Sequence, residues 1–291
     1  MAIERVVVTG GNGRIGKAIL EELNERGYYT IDVSRGKRRE EVSDEYRTTD
    51  LLSAGEVYGS LAASDADAII HMGTIPGPGS HPEHVTYESS VMSTYHVLEA
   101  ASALDHEAVV LASSINVIGY TYQDPHTEIE YLPVDEDHEL TPRDPYATSK
   151  HAMEVTADGY GRRDDTPQIV SLRYPFVGYE DEIRERYPAT EAVDEVEDIY
   201  EAGTNDLFTY IHLEDGAAIA VDAIEADLSG HEILWAVAAD TTVDVPTSDV
   251  VEAVYPDVPV RREFDEFESL IDISKATDLL DWKPEYSWRD V

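Results

Sequence analysis

Two side chains in the middle of the chain, Tyr146 and Lys150, stand four residues apart in the segment Tyr-Ala-Thr-Ser-Lys. On a helix this spacing puts both on one face, where the lysine ammonium lies near the tyrosine phenol. A free tyrosine has a pKa of about 10 and is a poor base at neutral pH, whereas a nearby cation favours its phenolate. The pair is predicted to remove a proton from a hydroxyl while a hydride leaves for a nicotinamide. The alternative is a surface Tyr–Lys pair without a catalytic role.

A glycine-rich turn near the start of the chain follows the β-branched run at residues 6–8. Gly10, Gly13 and Gly16 fit the pattern T-G-x-x-G-x-x-G, and a helical pattern comes directly after them. Glycines permit the sharp turn and let the backbone approach a pyrophosphate, which the N–H groups at the helix start then bind. A nucleoside-triphosphate loop is the rival interpretation, but Ala18 lacks the hydroxyl that ligates Mg²⁺. We predict a dinucleotide site that also includes Arg14 and Ile15.

Asp32 lies near the end of the second predicted strand and indicates which dinucleotide is bound. In a dinucleotide-binding fold, a carboxylate at this point accepts hydrogen bonds from the adenosine ribose and disfavours a 2′-phosphate. An ordinary turn residue is the alternative. Four basic residues follow and favour a 2′-phosphate instead, namely Arg35, Lys37, Arg38 and Arg39. We predict NAD as the cofactor and keep NADP as the alternative.

Ser113 and Ser114 end the fifth predicted strand, at the carboxyl edge of a parallel sheet, where ligands bind. A serine hydroxyl there can hold the substrate oxygen and align it with Tyr146. The alternative is a pair of serines that caps the loop.

The charge balance limits the partners of the protein. Asp and Glu number 61 against 21 Lys and Arg, which gives a formal net charge of −40. A polyanion needs a basic face, so nucleic acid is excluded as a partner. The carboxylates are spread along the whole chain, and 42% hydrophobic residues in orderly runs argue against disorder. We infer a salt-rich cytosol, in which screening removes the self-repulsion.

Several kinds of site and location are not expected. The chain has no cysteine, which excludes disulfides and thiolate chemistry, and its ten histidines lack the spacing of metal ligands. We therefore predict no metal site. No apolar run approaches the length that spans a membrane, and no leader segment is recognised. A cytoplasmic protein without a membrane partner is expected.

Strands and helices alternate along the first part of the chain. After the strand at residues 6–8, strands are predicted at 28–33, 45–50, 66–72, 107–113 and 168–174, with helices at 14–26, 54–64, 85–104 and 146–160. This alternation predicts an α/β fold with a doubly wound parallel (Rossmann) sheet. Residues 1–175 are expected to form the dinucleotide-binding domain. Residues 176–291 are expected to form a smaller substrate-binding portion interleaved with the last strands, with a lid at 180–205, a strand at 233–238 and helices at 248–255 and 274–281.

These motifs resemble one family nearly from end to end, the extended short-chain dehydrogenases/reductases, also called the NAD-dependent epimerase/dehydratase family. Further matching segments are Leu172-Arg173-Tyr174, Y-I-H-L-E-D at 210–215 and the stretch 271–284. The resemblance implies a catalytic triad of Ser114, Tyr146 and Lys150. It also implies a homodimer formed through the helices that start near Val85 and Tyr146.

Further site residues are expected at the corresponding positions. The cofactor is expected to contact Asp50 and Leu51 beside the adenine, and also Met72, Gly73 and Tyr174. A sugar substrate is expected to contact Thr74, Ile115, Asn116 and Phe176, besides Ser114 and Tyr146.

Departures from the family pattern concern the substrate. Ser90 replaces the usual Asn on the long helix. Phe176 and Phe208 stand where enzymes acting on nucleotide sugars carry Asn and Arg, and phenylalanine cannot donate a hydrogen bond to a diphosphate. Arg184 or Arg186 is a candidate partner for a substrate carboxylate or phosphate, unless both are solvated loop charges.

The segments at 112–120 and 71–75 look closer to the uronate and aldose dehydrogenases of the family, which oxidise an unmodified sugar at its anomeric carbon. We therefore expect an NAD-dependent dehydrogenase of an aldose, a uronate or a sugar phosphate. Two alternatives stay open. One is a nucleotide-sugar 4-epimerase or dehydratase with tightly bound NAD, and the other is a non-catalytic NAD-sensing protein of the same fold.

Overall fold

The computed structural model describes residues 3–121, 123, 127–187 and 206–289. Its strands are β1 (Arg5–Thr9), β2 (Tyr29–Ser34), β3 (Glu45–Thr48), β4 (Ala68–His71), β5 (Ala108–Ser114), β6 (Gln168–Tyr174), β7 (Phe176–Gly178), β8 (Tyr210–His212) and β9 (His231–Trp235). Its helices are α1 (Arg14–Glu25), α2 (Ala54–Ser64), α3 (Glu83–Ala103), α4 (Pro145–Gly161), α5 (Glu180–Arg186), α6 (Leu213–Glu225), α7 (Thr247–Val254) and α8 (Ser274–Leu280), and a short 3-10 helix spans Ile115–Ile118.

Seven of the described strands form one sheet in the order β3-β2-β1-β4-β5-β6-β9. Strand β1 pairs in parallel with both β2 and β4, so the chain winds outward in two directions from the first strand. Val6, Val7 and Val8 are fully buried, as expected for a strand covered on both faces. The predicted α/β class with a doubly wound parallel sheet is confirmed.

Local sequence explains the two helices that carry the predicted motifs. In α1 the apolar side chains Ile19, Leu20 and Leu23 are buried, and Gly27 follows the helix in the left-handed conformation (φ +87°) that ends many helices. Helix α4 begins at Pro145, and the Asp144 side chain caps it by accepting the Ala147 N–H at 2.9 Å.

The chain divides into two compact units. Unit 1 comprises Met1–Ser113, Arg143–Leu172 and Ala217–Ile233, and unit 2 comprises Ser114–Pro142, Arg173–Gly216 and Leu234–Val291. Unit 1 has a core of mainly aliphatic side chains from β1, β2, β4, β5, β6 and the helices α2 to α4. The main core of unit 2 surrounds the fully buried Trp235. Both units are assembled from separate segments, and the assignment of residues 176–291 to substrate binding remains a prediction.

Several elements lie outside the sequence expectations. Helix α6, strands β7 and β8 and the 3-10 helix were not predicted, and the strand expected at 233–238 lies at His231–Trp235. The expected lid begins with the helix α5, and its remainder, 188–205, lies outside the described residues. No helix within the described ranges carries an apolar stretch long enough to cross a membrane.

Candidate active site

The ammonium of Lys150 occupies a fully enclosed position in unit 1. Lys150 is 2% exposed, and its Nζ donates to the Ala112 carbonyl oxygen at 2.6 Å and to Thr74 Oγ1 at 3.0 Å. Burial lowers the pKa of Lys150 to about 7, an effect that the charge of Glu154 partly opposes. An ammonium with three donors thus has two of them fixed by the protein, and the third is left for another acceptor.

Tyr146 lies one helical turn before Lys150 on α4 and is also buried. The Lys150 nitrogen is 5.7 Å from the centre of the Tyr146 ring. This geometry confirms that the two residues share a helix face. Because both side chains are enclosed, the alternative of a surface Tyr–Lys pair is wrong.

The glycine-rich turn brings backbone segments together too closely for side chains. Gly10 has φ +76°, and a Cβ there would lie 2.9 Å from the Cα of Gly73. A Cβ on Gly16 would overlap the Gly10 carbonyl oxygen, which itself accepts the Gly13 N–H at 2.8 Å. The turn ends at Gly13, where α1 begins with the exposed Arg14 and the partly exposed Ile15. These residues fit a dinucleotide, because a glycine turn lets the backbone approach a pyrophosphate at the N-terminus of a helix, where backbone N–H groups favour phosphate oxygens.

Asp32 is buried at the carboxyl end of β2, beneath the glycine-rich turn. Its Oδ1 accepts the Ser34 hydroxyl at 2.6 Å, and the backbone N–H of Gly11 also donates to it. Burial raises the pKa of Asp32, while these hydrogen bonds and the charge of Arg38 act in the opposite direction.

The basic segment after β2 is tied to the glycine-rich turn by Asn12, which occupies an unspecified position of the glycine pattern and was not predicted to have a role. Asn12 Oδ1 accepts the Arg39 N–H at 3.0 Å, and its Nδ2 donates to Tyr46 Oη at 3.0 Å. Arg38 is turned toward its own loop, where its Nε donates to the Glu40 carbonyl at 3.1 Å. Arg35 and Lys37 are both exposed.

A buried chain of hydrogen bonds lies behind the predicted adenine side of the site. The Gly73 N–H donates to Thr9 Oγ1 at 3.2 Å, and Thr9 Oγ1 lies 2.7 Å from His71 Nδ1. His71 Nε2 lies 3.2 Å from Ser93 Oγ, whose hydroxyl donates to the Ser89 carbonyl. Because the Ser93 hydroxyl proton is used in this way, the His71 proton belongs on Nε2, and Nδ1 accepts from the Thr9 hydroxyl. Burial, together with the Lys150 charge, lowers the pKa of His71 to about 3, so this ring is neutral.

The remaining cofactor residues predicted in unit 1 adjoin this chain. Leu51 is buried and Asp50 is exposed, with Oδ1 accepting the Leu52 N–H at 3.1 Å. Met72 is partly exposed, and its N–H donates to the Thr9 carbonyl at 3.1 Å. A Cβ on Gly73 would overlap the end of the Leu51 side chain, so a larger residue here would displace Leu51. The contacts of these residues with a cofactor remain predictions.

The two serines at the end of β5 have different partners. Ser113 Oγ donates to Glu154 Oε1 at 2.6 Å, within unit 1. Ser114 belongs to unit 2, where its Oγ accepts the Asn116 N–H at 3.3 Å and caps the 3-10 helix that contains Ile115. Ile115 and Asn116 are both buried, and the Asn116 Oδ1 has no hydrogen-bond partner within the described part of the chain.

Other predicted residues of unit 2 are held by the protein. Tyr174 is buried, which raises the pKa of its phenol, and its hydroxyl donates to the Gly216 carbonyl at 2.9 Å. Phe176 is partly exposed and contacts the Tyr187 ring at 5.9 Å between centres. Phe208 is fully buried in the core that surrounds Trp235. It is therefore a core residue.

The arginines considered for an anionic substrate are bound within unit 2. Arg184 Nε donates to the Trp288 carbonyl at 3.1 Å, and an Arg186 nitrogen lies 3.3 Å from Asp206 Oδ2. Both arginines lie on the helix α5 and not in a loop, and both are exposed to solvent, so the interpretation as solvated charges stays open. The Arg186 guanidinium also lies 4.7 Å from the centre of the Phe176 ring.

Comparison with known proteins agrees with these features. The sequence profile of the NAD dependent epimerase/dehydratase family matches residues 6–236. The chain belongs to this family. The membership confirms the expectations of an NAD-dependent enzyme of the extended short-chain dehydrogenase/reductase type and of NAD as its cofactor.

The relatives in this family include epimerases and dehydrogenases. A UDP-glucose 4-epimerase of Rhizobium leguminosarum bv. trifolii is 26% identical over 100% of this chain and 96% of its own length. The chain spans about half of the length of several other UDP-glucose 4-epimerases that it matches. Among solved structures, a uronate dehydrogenase of Agrobacterium tumefaciens, a point mutant complexed with NAD, has a TM-score of 0.70 at 19% identity, covering 99% of this chain and 87% of its own. A UDP-galactose 4-epimerase has a TM-score of 0.67 at 22% identity, covering 97% and 94%.

Proposed function

We propose that the protein oxidises a hydroxyl of a sugar that carries no nucleotide, such as an aldose, a uronate or a sugar phosphate. The observation that carries this proposal is the enclosed pair on α4, in which the Lys150 nitrogen is fixed by Ala112 and Thr74 and lies 5.7 Å from the Tyr146 ring centre. Such a pair serves proton removal from an alcohol, which is the requirement of hydride chemistry at a sugar carbon.

The side chains divide the work among them. Tyr146 acts as the base that accepts the hydroxyl proton, and the Lys150 ammonium stabilises its phenolate and contacts the nicotinamide ribose. Ser114 holds the substrate oxygen by a hydrogen bond from its hydroxyl. The glycine-rich turn holds the pyrophosphate of NAD, and Asp32 holds its adenosine ribose. When bound, NAD supplies the hydride acceptor.

The proposed substrate class follows from two positions of unit 2 that lack hydrogen-bond donors for a diphosphate. Phe176 and Phe208 cannot donate to a diphosphate, and Phe208 is fully buried. Arg184 donates to the Trp288 carbonyl, and Arg261 is paired with Asp135 at 3.1 Å. Charged phosphates without dedicated donors are bound poorly, because their desolvation is not compensated. A sugar without a diphosphate fits these residues better.

A nucleotide-sugar 4-epimerase is the second candidate, and the similarity over the full length to an epimerase of Rhizobium favours it. Such an enzyme would use the same Tyr–Lys pair and return the hydride to its substrate, so no NADH would accumulate. The two functions thus differ in whether NADH accumulates. They also differ in whether the enzyme binds the uridine diphosphate group of its substrate.

Calorimetry with UDP on the NAD-loaded protein in molar KCl tests the substrate class. We expect no binding, or millimolar binding that does not compete with the sugar. Micromolar UDP binding that competes with the sugar would replace the dehydrogenase by the epimerase. As a control, titration with NAD itself must give a saturable signal in the same buffer.

The helices α3 and α4 are proposed to form the interface of a homodimer. In unit 1 these helices expose the apolar side chains Tyr87, Met92, Tyr95 and Val155, which a partner subunit would cover. Light scattering after gel filtration is expected to give twice the mass of the chain. Replacing Val155, 56% exposed, by Asp is expected to yield monomers, and a dimer that survives this change would place the interface elsewhere.

A further inference from the structure

Glu154 is a buried carboxylate without a role in the mechanism given above. It is 2% exposed and lies on α4 one turn after Lys150, which is equally buried. Carboxylates are almost never fully buried unless they are paired, because the loss of hydration is costly. At this buried position Glu154 therefore needs a hydrogen-bond donor or an opposite charge as its partner.

The partners of the two side chains lie on adjacent residues of β5. Lys150 Nζ donates to the carbonyl of Ala112 at 2.6 Å, and the next residue, Ser113, donates its hydroxyl to Glu154 Oε1 at 2.6 Å. Residues four apart on a helix are neighbours, and a carboxylate and an ammonium at this spacing attract each other. One strand end thus fixes both members of an oppositely charged pair.

We infer that Glu154 is a positioning residue of the proposed dehydrogenase, which acts through Lys150 by keeping its enclosed ammonium charged and fixed on β5. The inference rests on the proposed function, since only a charged Lys150 stabilises the phenolate of Tyr146. Ser113 serves the same arrangement, because its hydroxyl holds the Glu154 carboxylate. This assigns a role to the serine that the substrate does not use.

Other charges around Lys150 do not replace Glu154. His71 on β4 faces Lys150 and is neutral, since its pKa is lowered to about 3 by burial and by the Lys150 charge. Tyr146 on α4 is the group that Lys150 serves, and the contacts from Thr74 and Ala112 are uncharged. The negative charge that raises the pKa of Lys150, against the effect of burial, is that of Glu154.

The titration of Lys150 can be followed without any turnover. The chain contains five lysines, Lys17, Lys37, Lys150, Lys275 and Lys283, so protein labelled with ¹³C at lysine Cε gives a spectrum simple enough to assign. The Lys150→Met variant identifies the Lys150 signal by its disappearance. In the wild type, the midpoint of this signal is expected near the pKa of about 7 that burial and Glu154 together set.

Replacing Glu154 by Gln removes the charge and keeps an oxygen for the Ser113 hydroxyl. The Lys150 midpoint is expected to fall by about one pH unit or more, the usual effect of losing a close opposite charge. Glu154→Asp keeps a carboxylate and is expected to give a smaller shift. Glu99→Gln, which removes an exposed carboxylate from α3, is the matched control and is expected to leave the midpoint unchanged.

An unchanged Lys150 midpoint in folded Glu154→Gln protein would overturn the inference, whether or not the protein oxidises sugars. If this variant does not fold, Ser113→Ala carries the test, because it removes only the hydroxyl that holds the carboxylate. A lower Lys150 midpoint is expected for Ser113→Ala, and an unchanged midpoint would contradict the inference. Absence of sugar oxidation in the wild type would instead refute the proposed function and leave this titration result standing.

Discussion

Enclosure makes the side chain of Lys150 chemically useful. A solvated lysine is always charged at neutral pH and shields its charge with water, whereas Lys150 has exchanged water for Ala112 and Thr74. In such surroundings a charge acts strongly on its neighbours, because water no longer screens it. The same enclosure costs stability, so the role of Lys150 can be tested both by catalysis and by unfolding.

The base is tested by Tyr146→Phe, which keeps the buried ring and removes the phenol. Turnover is expected to fall by about 10²-fold or more, the usual effect of losing a general base. Calorimetry is expected to give unchanged NAD affinity, which shows that the site is intact. Turnover close to that of the wild type would refute the role of Tyr146.

The cost of the enclosed ammonium predicts how stability depends on pH. The pKa of Lys150 is lowered from 10.5 to about 7, so between these values the folded protein holds fewer protons at this site than the unfolded chain. The contribution of Lys150 to the unfolding free energy therefore rises with pH between about 7 and 10.5. Lys150→Met lacks the ammonium and therefore lacks this rise, so its unfolding free energy minus that of the wild type is expected to be most favourable to the variant at pH 7 and below and to decrease toward pH 10.5. Denaturant unfolding of both proteins measures the difference, and a constant difference would contradict the assigned shift.

Asp32 is expected to decide between the cofactors. Asp32→Ala removes an acceptor of ribose hydrogen bonds and a charge that repels a 2′-phosphate. NAD affinity is expected to fall about tenfold or more, as for the loss of a charged hydrogen bond, while the affinity for NADP improves relative to NAD. Asp32→Asn, which keeps one acceptor without the charge, separates the two effects. A wild-type preference for NADP would shift the assignment to Arg35 and the basic residues that follow it.

At the scale of elements, periodicity allowed much of the fold to be predicted. Helix α2 and strand β6 lie at the predicted residues. Each has an apolar pattern that fits only one kind of element, and clear turn signals flank both. Helix α6 was missed for a physical reason. Most of its side chains are buried, and its exposed face is a narrow stripe at Glu214, Ala218, Asp222 and Glu225, so its apolar run is weakly patterned.

The site could be predicted only where its chemistry is local in sequence. The glycine-rich turn and the Tyr146–Lys150 pair each lie within a few residues, so their spacing carried the prediction. The bond between Ser113 and Glu154 joins residues 41 apart, and that between Thr9 and His71 joins residues 62 apart. Such pairs depend on which strand lies beside which helix, and no local pattern in the sequence records this.

The glycine-rich turn gives a prediction at this scale. Gly16→Ala places a methyl group against the Gly10 carbonyl, so the turn must open, at an expected cost of about 1–3 kcal/mol in unfolding free energy and a large loss of NAD affinity. Gly59→Ala is the matched control, because Gly59 is exposed within α2 and has open space around it. This control is expected to stabilise the protein by up to about 1 kcal/mol. Equal NAD affinity in the two variants would contradict the assigned turn.

At the scale of the whole molecule, the net charge of −40 dominates the behaviour of the chain. Repulsion among like charges destabilises a compact state, and molar salt shortens the screening length to about 3 Å. The melting temperature is therefore expected to rise steadily between low and molar KCl. An equal melting temperature at both salt concentrations would contradict adaptation to a salt-rich cytosol.

The central claim is net oxidation of a sugar that carries no nucleotide. The most direct test measures NADH formed and sugar consumed together, in molar KCl, for free aldoses, uronates and sugar phosphates beside UDP-sugars. The account predicts one NADH for each sugar consumed with a member of the first group and none with UDP-sugars. Conversion of UDP-glucose to its 4-epimer without NADH would contradict it.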